Sequence, residues 1–288
     1  MSTLNFRELF GLDDQGQPGF SRRSFFKQAG LLGATAAAGA VLAPTASAFV
    51  LRGDDADEEI PHASNLTSGD KSILVAAEIA EALAVTTYSN IIHRSPFFQH
   101  IPDDDQGYIE AALQEEMSHY ALEQSVTNEN TPFDEFFYPK NMFEDTQTTL
   151  NTLVTLEDAF IAAYLVGVRN FSSTALRVTA ARIMGIESDH RTLARVIGPD
   201  VAAKDGGPIR FITGAQGFKE SVAPPNNNGY ERTLCWTKIS QAVDALMPFV
   251  DKDAAESAGF DTSTSYKFKP FTPKLPNKHG EFFSFTGC

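Results

Sequence analysis

Glu116-Met117-Ser118-His119 and Glu187-Ser188-Asp189-His190 repeat one pattern, Glu-x-x-His, 71 residues apart. Residues three apart share one face of a helix, so each copy can aim a carboxylate and an imidazole at a single point. One copy alone reads better as a surface glutamate beside a histidine. The upstream segments change that reading. Glu81 sits among Leu74, Ala77, Leu83 and Ala84, and Glu157 among Leu153, Leu156, Phe160 and Ile161. A carboxylate on such an apolar face is costly unless it is paired or bound to a metal. Seven residues, or two helical turns, beyond each of these glutamates lies a tyrosine, Tyr88 and Tyr164.

Apolar periodicity predicts four helices, at about 69–93, 103–125, 146–170 and 173–197, with Pro96 closing the first and Gly198-Pro199 the fourth. Ser68 or Asp70 caps the first, and Asp103 to Asp105 favour the start of the second. In an antiparallel pair, residues equidistant from the turn lie at one height. The midpoint of Glu157 and Glu187 is 172, on the turn, and that of Glu81 and Glu116 is 98.5, inside the Pro96–Pro102 connection. Each hairpin thus levels its glutamate with its Glu-x-x-His. With offsets of 76 and 71 residues between them, the hairpins read as an internal duplication. A fifth helix is expected at about 230–249, followed by an irregular, Phe-rich tail.

This set, one Glu from each of two helices and Glu-x-x-His from each of the others, resembles that of the ferritin-like di-iron and di-manganese proteins. The resemblance covers residues 68–198 and implies an all-α fold, a ferritin-like four-helix bundle of two antiparallel hairpins. It further implies two Fe or Mn ions, with Glu81 and Glu157 each on one ion, Glu116 and Glu187 bridging, and His119 and His190 each giving one nitrogen. Hard carboxylates with one imidazole per ion suit those metals, and no thiolate cluster accompanies them. Tyr88 and Tyr164 can support the ligands or simply fill core. Glu78 is a candidate supporting residue, whereas Glu115 is expected to face elsewhere. Asp189 reads as a solvated acid or a partner of Arg191. His62, His93, His100 and His279 fall in loops or at helix ends, away from the centre.

Ahead of the bundle, Ser21-Arg22-Arg23-Ser24-Phe25-Phe26-Lys27 precedes a mild apolar run ending in Ala46-Ser47-Ala48. An arginine pair, an apolar run and a small-residue cleavage site in this order resemble a bacterial twin-arginine export signal. The implied division is a leader at 1–48, a linker at 49–67, the bundle at 68–198 and an extension at 199–288. The implied location is periplasmic or extracellular, with the twin-arginine export machinery as a partner and a cargo folded before transport. No later stretch is expected to reach the roughly 18 apolar residues of a membrane span.

The formal charge of −14 argues against nucleic acid or an anionic membrane as partner. Two cysteines, Cys235 and Cys288, exclude a disulfide scaffold and leave one bridge or two thiols open. Leader and tail together make the chain similar to exported ferritin-like proteins of the desiccation-related type, rather than to storage ferritins. It also lacks the Cys-x-x-Cys pairs of rubrerythrins. The expected activity is that of a di-metal oxidoreductase, ferroxidase-like or manganese-catalase-like, acting on oxygen or peroxide in stress defence. A non-catalytic metal-binding or protective protein, or a metal-free bundle serving as an interaction module, are the alternatives. Association into a homo-oligomer is left open.

Overall fold

The computed structural model describes residue 61 and residues 63–204 and 234–274. The expected leader, most of the linker, the end of the tail, and His62, Tyr230, His279 and Cys288 lie outside the described residues. The bundle consists of α1 (Ser68–Arg94), α2 (Asp103–Thr127), α3 (Thr146–Asn170) and α4 (Thr174–Lys204). Helices α1 and α2 form one antiparallel hairpin and α3 and α4 the other. The hairpins dock mainly through α1 against α3, with α2 meeting α4.

Local chemistry fixes the ends. Helix α1 is capped by Thr67, not by the expected Ser68 or Asp70: Asp70 N–H donates to Thr67 Oγ1 at 3.1 Å, and Thr67 N–H donates back to Asp70 Oδ2 at 3.2 Å. Asp70 also accepts from Ser172 N–H at 2.8 Å and Ser172 Oγ at 2.5 Å, stitching the start of α1 to the turn of the second hairpin. Asp145 caps α3, accepting from Thr148 N–H at 2.8 Å. At its other end a Cβ on Gly167 would meet the Phe171 ring at 2.8 Å, so glycine lets that ring fold back against the last turn. Helix α2 ends on Asn128 in the left-handed region, at φ 56°.

Three details differ from the sequence reading. Helix α4 does not stop at Gly198-Pro199 but continues to Lys204. Without a Cβ, Gly198 avoids much of the clash that drives a residue before proline out of helical space. The fifth helix, α5, spans Ile239–Val250, and residues 234–238 before it are not helical. There Gln241 Oε1 accepts from Thr237 N–H at 2.9 Å and Lys238 N–H at 3.1 Å, ending the helix at that turn. A short α6 (Lys252–Ser257) follows.

The third difference is an addition to the helical fold. Strand β1 (Glu135–Pro139), in the α2–α3 connection, pairs antiparallel with β2 (Phe260–Lys267), so the first part of the extension is regular. The register shifts between Phe136 and Tyr138, a bulge in the ladder. Tyr138 is buried and shares a 3.1 Å hydrogen bond with Thr87 Oγ1 of α1. Its ring lies 5.0, 6.0 and 5.2 Å from those of Phe143, Phe249 and Tyr266, edge contacts of about 0.5–1.5 kcal/mol each. The extension is thereby anchored to the bundle by aromatic packing.

Helices α1 and α3 are in fact long and apolar enough to cross a bilayer, contrary to the sequence expectation. In the bundle 83% of the apolar window of α1 and 67% of that of α3 is buried, each around a glutamate. Their apolarity is that of core helices packed on several sides.

Candidate metal centre

Each helix of the bundle brings one or two acidic or imidazole groups to the middle. Glu81 comes from α1, Glu116 and His119 from α2, Glu157 from α3, and Glu187 and His190 from α4. Glu116, Glu157 and Glu187 are fully buried, and Glu81, His190 and His119 nearly so. Two groups form in which the ligand atoms all lie within 4.8 Å of one another. One holds Glu81, Glu116, His119 and Glu187; the other holds Glu157, Glu116, Glu187 and His190.

Glu116 and Glu187 belong to both groups, and their individual oxygens divide between them. His119 Nδ1 lies 3.4 Å from Glu116 Oε2 and 3.2 Å from Glu187 Oε1. His190 Nδ1 lies 3.1 Å from Glu116 Oε1 and 3.3 Å from Glu187 Oε2. Glu81 Oε2, at 3.6 Å from His119 Nδ1, completes the first group. Each shared carboxylate therefore turns one oxygen to each imidazole.

These atoms test whether metal ions fit. Glu81 Oε2, Glu157 Oε2, both oxygens of Glu116 and of Glu187, and Nδ1 of His119 and His190 have no hydrogen-bond partner. Buried polar atoms rarely lack one. Here they approach each other to 3.1–3.6 Å without hydrogen-bond geometry. Lone pairs so arranged converge on points between the residues, and a cation there satisfies them together. Four carboxylates also nearly neutralise two divalent ions. The residues fit a dinuclear oxygen-rich site.

Electrostatics point the same way. Burial, and then the charges of Glu116 and Glu187, hold the Glu81 and Glu157 carboxyls well above the usual range. Burial alone would depress the histidines. Glu81 and the shared glutamates instead raise His119 well above its ordinary value, and Glu116 leads in doing so for His190. Burial would also raise Glu116, but the charge of His190 and the close approach of His119, His190 and Glu81 hold it low. Without metal, protons carry the positive charge that this cluster requires.

The tyrosines cross between hairpins. Tyr88 of α1 donates to Glu157 Oε1 of α3 at 2.6 Å, and Tyr164 of α3 donates to Glu81 of α1. Tyr164 also bonds Glu123 at 2.8 Å. A phenol has one proton to give, so with both bonds made one carboxyl donates to the phenol oxygen. Burial, which pushes Glu81 and Glu123 well above the usual range, supplies that proton.

The surroundings amend the sequence reading at several residues. Glu115 does not face elsewhere: its half-exposed carboxylate accepts from His190 Nε2 at 2.9 Å. That bond places the proton on Nε2 and turns the Nδ1 lone pair to the centre. Arg191 pairs with Asp158 at 2.7 Å, not with Asp189, which is exposed. Glu78 is buried but lies one layer out, bonded by Thr127, and burial pushes its carboxyl up to about 8. Sequence reasoning missed Glu123, although its spacing of seven from Glu116 puts it on the ligand face of α2 two turns on. His93 and His100 sit at the exposed helix ends expected of them.

Residues 69–197 match the family model of the ferritin-like domain. Neither the curated proteins nor the solved structures gave a match. Bundle topology, a buried Glu/His cluster and that match agree over one stretch of chain: residues 69–197 form a ferritin-like domain.

Proposed function

We propose that the bundle holds two Fe or Mn ions and is redox-active towards oxygen or peroxide, in a protein exported by the twin-arginine route for stress defence. One observation carries the reading: Glu116 and Glu187 each offer one oxygen to the His119 group and the other to the His190 group. Such a pair sets two ions side by side, and two adjacent redox metals can share the electrons that oxygen or peroxide chemistry requires. Glu81 and Glu157 would each complete one ion. Tyr88 and Tyr164 hold those carboxylates in place, and the Glu115 bond orients the His190 ring. The arginine pair at Arg22-Arg23 supports export, since that route resembles one used for cargo folded beforehand.

Protein purified after expression with iron and manganese supplied should contain about two ions per chain, as two complete ligand groups require. Its ferrous form should consume oxygen, or its manganese form evolve oxygen from peroxide. A metal-free product overturns the dinuclear reading. Two bound ions with neither reaction would leave sequestration as the function. Residues 1–48 fused to a reporter should reach the periplasm, and Arg22→Lys with Arg23→Lys should block it; export of that variant would remove the twin-arginine assignment.

A further inference from the structure

The centre is buried, so whatever reacts there must cross protein. Beside it, among all four bundle helices and α5, lies a cavity of about 40 Å³. At roughly 10–15 Å³ per water-sized sphere, that admits about three such spheres in a row, or one very small guest. Its walls mix large apolar side chains with alanines. Ala77 and Ala80 of α1, Ala159 and Ala163 of α3, and Ala180 of α4 face it where larger side chains would close it. Ala77, Ala159 and Ala163 keep some exposed surface although they lie within long helices. Trp236 and Ile239 line it at the start of α5.

The lining has little polar chemistry: Thr179, Glu123 and the Tyr164 side chain. Two of these belong to the centre's own network. Tyr164 donates to Glu81 and bonds Glu123, so the cavity ends one hydrogen bond from a ligand. The other half of the centre differs. Tyr88, the counterpart of Tyr164, is fully buried and packed among the main core residues.

We infer that this cavity is the binding and access site for dioxygen, which reaches the Glu81–His119 side of the centre first. The inference rests on the redox reading above and chooses between its two oxidants. Dioxygen is small, apolar and makes no demand for hydrogen bonds. Peroxide and water must give up theirs to enter an alanine-lined space, and apolar cavities of this kind stay dry.

Xenon, a dioxygen-sized apolar probe, tests the site without metal. In the metal-free full chain, xenon should occupy the space between Ala80 and Ala163, seen by diffraction under pressure or by xenon NMR. Ala163→Phe should abolish that occupancy; Ala163→Leu is the milder filling, should the larger ring prevent folding. In the ferrous protein, the variant that excludes xenon should react with dioxygen roughly tenfold more slowly, as for a gated step. Its metal content should stay unchanged, which separates blocked access from a lost metal site. Absence of xenon in the parent protein, or an unaltered dioxygen rate in a variant that excludes xenon, overturns the inference. If the parent ferrous protein ignores dioxygen altogether, the ferroxidase-like form of the redox reading fails instead, and the xenon result still decides whether the cavity binds an apolar gas.

Discussion

Glu81, Tyr88 and Glu116-x-x-His119 map onto Glu157, Tyr164 and Glu187-x-x-His190 at offsets of 76 and 71 residues. The same offsets carry Glu78 onto Val154 and Glu123 onto Ala194. They carry Asp158 back onto Ala82 and Arg191 back onto Tyr120. The duplication therefore retains the candidate ligands and their tyrosine donors, and none of these four outer groups. Behind the Glu81 side are two further buried carboxyls and an alanine-lined cavity. Behind the Glu157 side are a buried Arg191–Asp158 pair and a Glu115 clamp on His190. On the proposed reading the symmetric ligands would set the nuclearity, while the unequal surroundings make the two groups chemically different.

The sharpest way to break this comparison is to remove shared and unshared ligands in turn. Glu116→Ala or Glu187→Ala should take away both ions, because each group loses a member. Glu81→Ala should empty the first position and spare the second, and Glu157→Ala the reverse. Elemental analysis of the four variants distinguishes the outcomes; equal loss in all four would mean the positions are not separable.

The next effect belongs to the Glu157 side alone. Arg191→Met removes the 2.7 Å partner of Asp158 and leaves Arg195 at 4.0 Å, so the loss should fall below the about 3–5 kcal/mol typical of removing the whole partner from a buried pair. Tyr120→Phe, at the corresponding position of the first hairpin, should cost much less. Urea unfolding of the metal-free proteins gives both numbers. Similar losses would show that Arg191 is not what sets that half apart.

The inner ligands were legible because metal geometry leaves a local trace: three-residue spacings, glutamates on apolar faces, and equal distances from two turns. The outer groups leave none. Asp158 and Arg191 meet across 33 residues and Glu115 and His190 across 75, so neither contact has a sequence period to announce it. Strand pairing between Glu135–Pro139 and Phe260–Lys267 is equally non-local. Glu123 is the exception: it carries the helical spacing from Glu116, but no histidine three residues on marks it as part of a second motif.

Glu78 gives the Glu81 side a pH dependence of its own. Its folded carboxyl titrates at about 8, raised first by burial, against 4.5 for the ordinary group. Between those values the folded state keeps a proton that the unfolded state has released. Its stabilising contribution is therefore complete below the lower value and lost as pH rises through the higher one. The slope approaches about 1.4 kcal/mol per pH unit at most. Glu78→Gln cannot titrate, so relative to the parent it should gain up to about 3 kcal/mol between pH 5.5 and 7.5. Denaturant unfolding at the two pH values reads the difference, and parallel behaviour of the two proteins would place the Glu78 carboxyl outside this network.

The crossed tyrosines provide the smallest and most direct comparison. Tyr88→Phe removes one donor from Glu157, and Tyr164→Phe removes the hydroxyl that joins Glu81 to Glu123. Leaving one buried acceptor unpaired costs about 1–3 kcal/mol, so Tyr88→Phe should fall in that range. Tyr164→Phe unpairs two carboxyls and should cost more in a closed site. Its ring, however, borders the cavity, where space is available for the side chains to shift. The stability difference alone can therefore shrink. Metal binding separates the contributions, because Tyr164→Phe should weaken the Glu81 position and Tyr88→Phe the Glu157 position. Titrating each variant with ferrous ion and following the two binding steps shows which is lost. If both variants weaken the same step, the tyrosines do not divide between the ions, and the asymmetry arises elsewhere in the bundle.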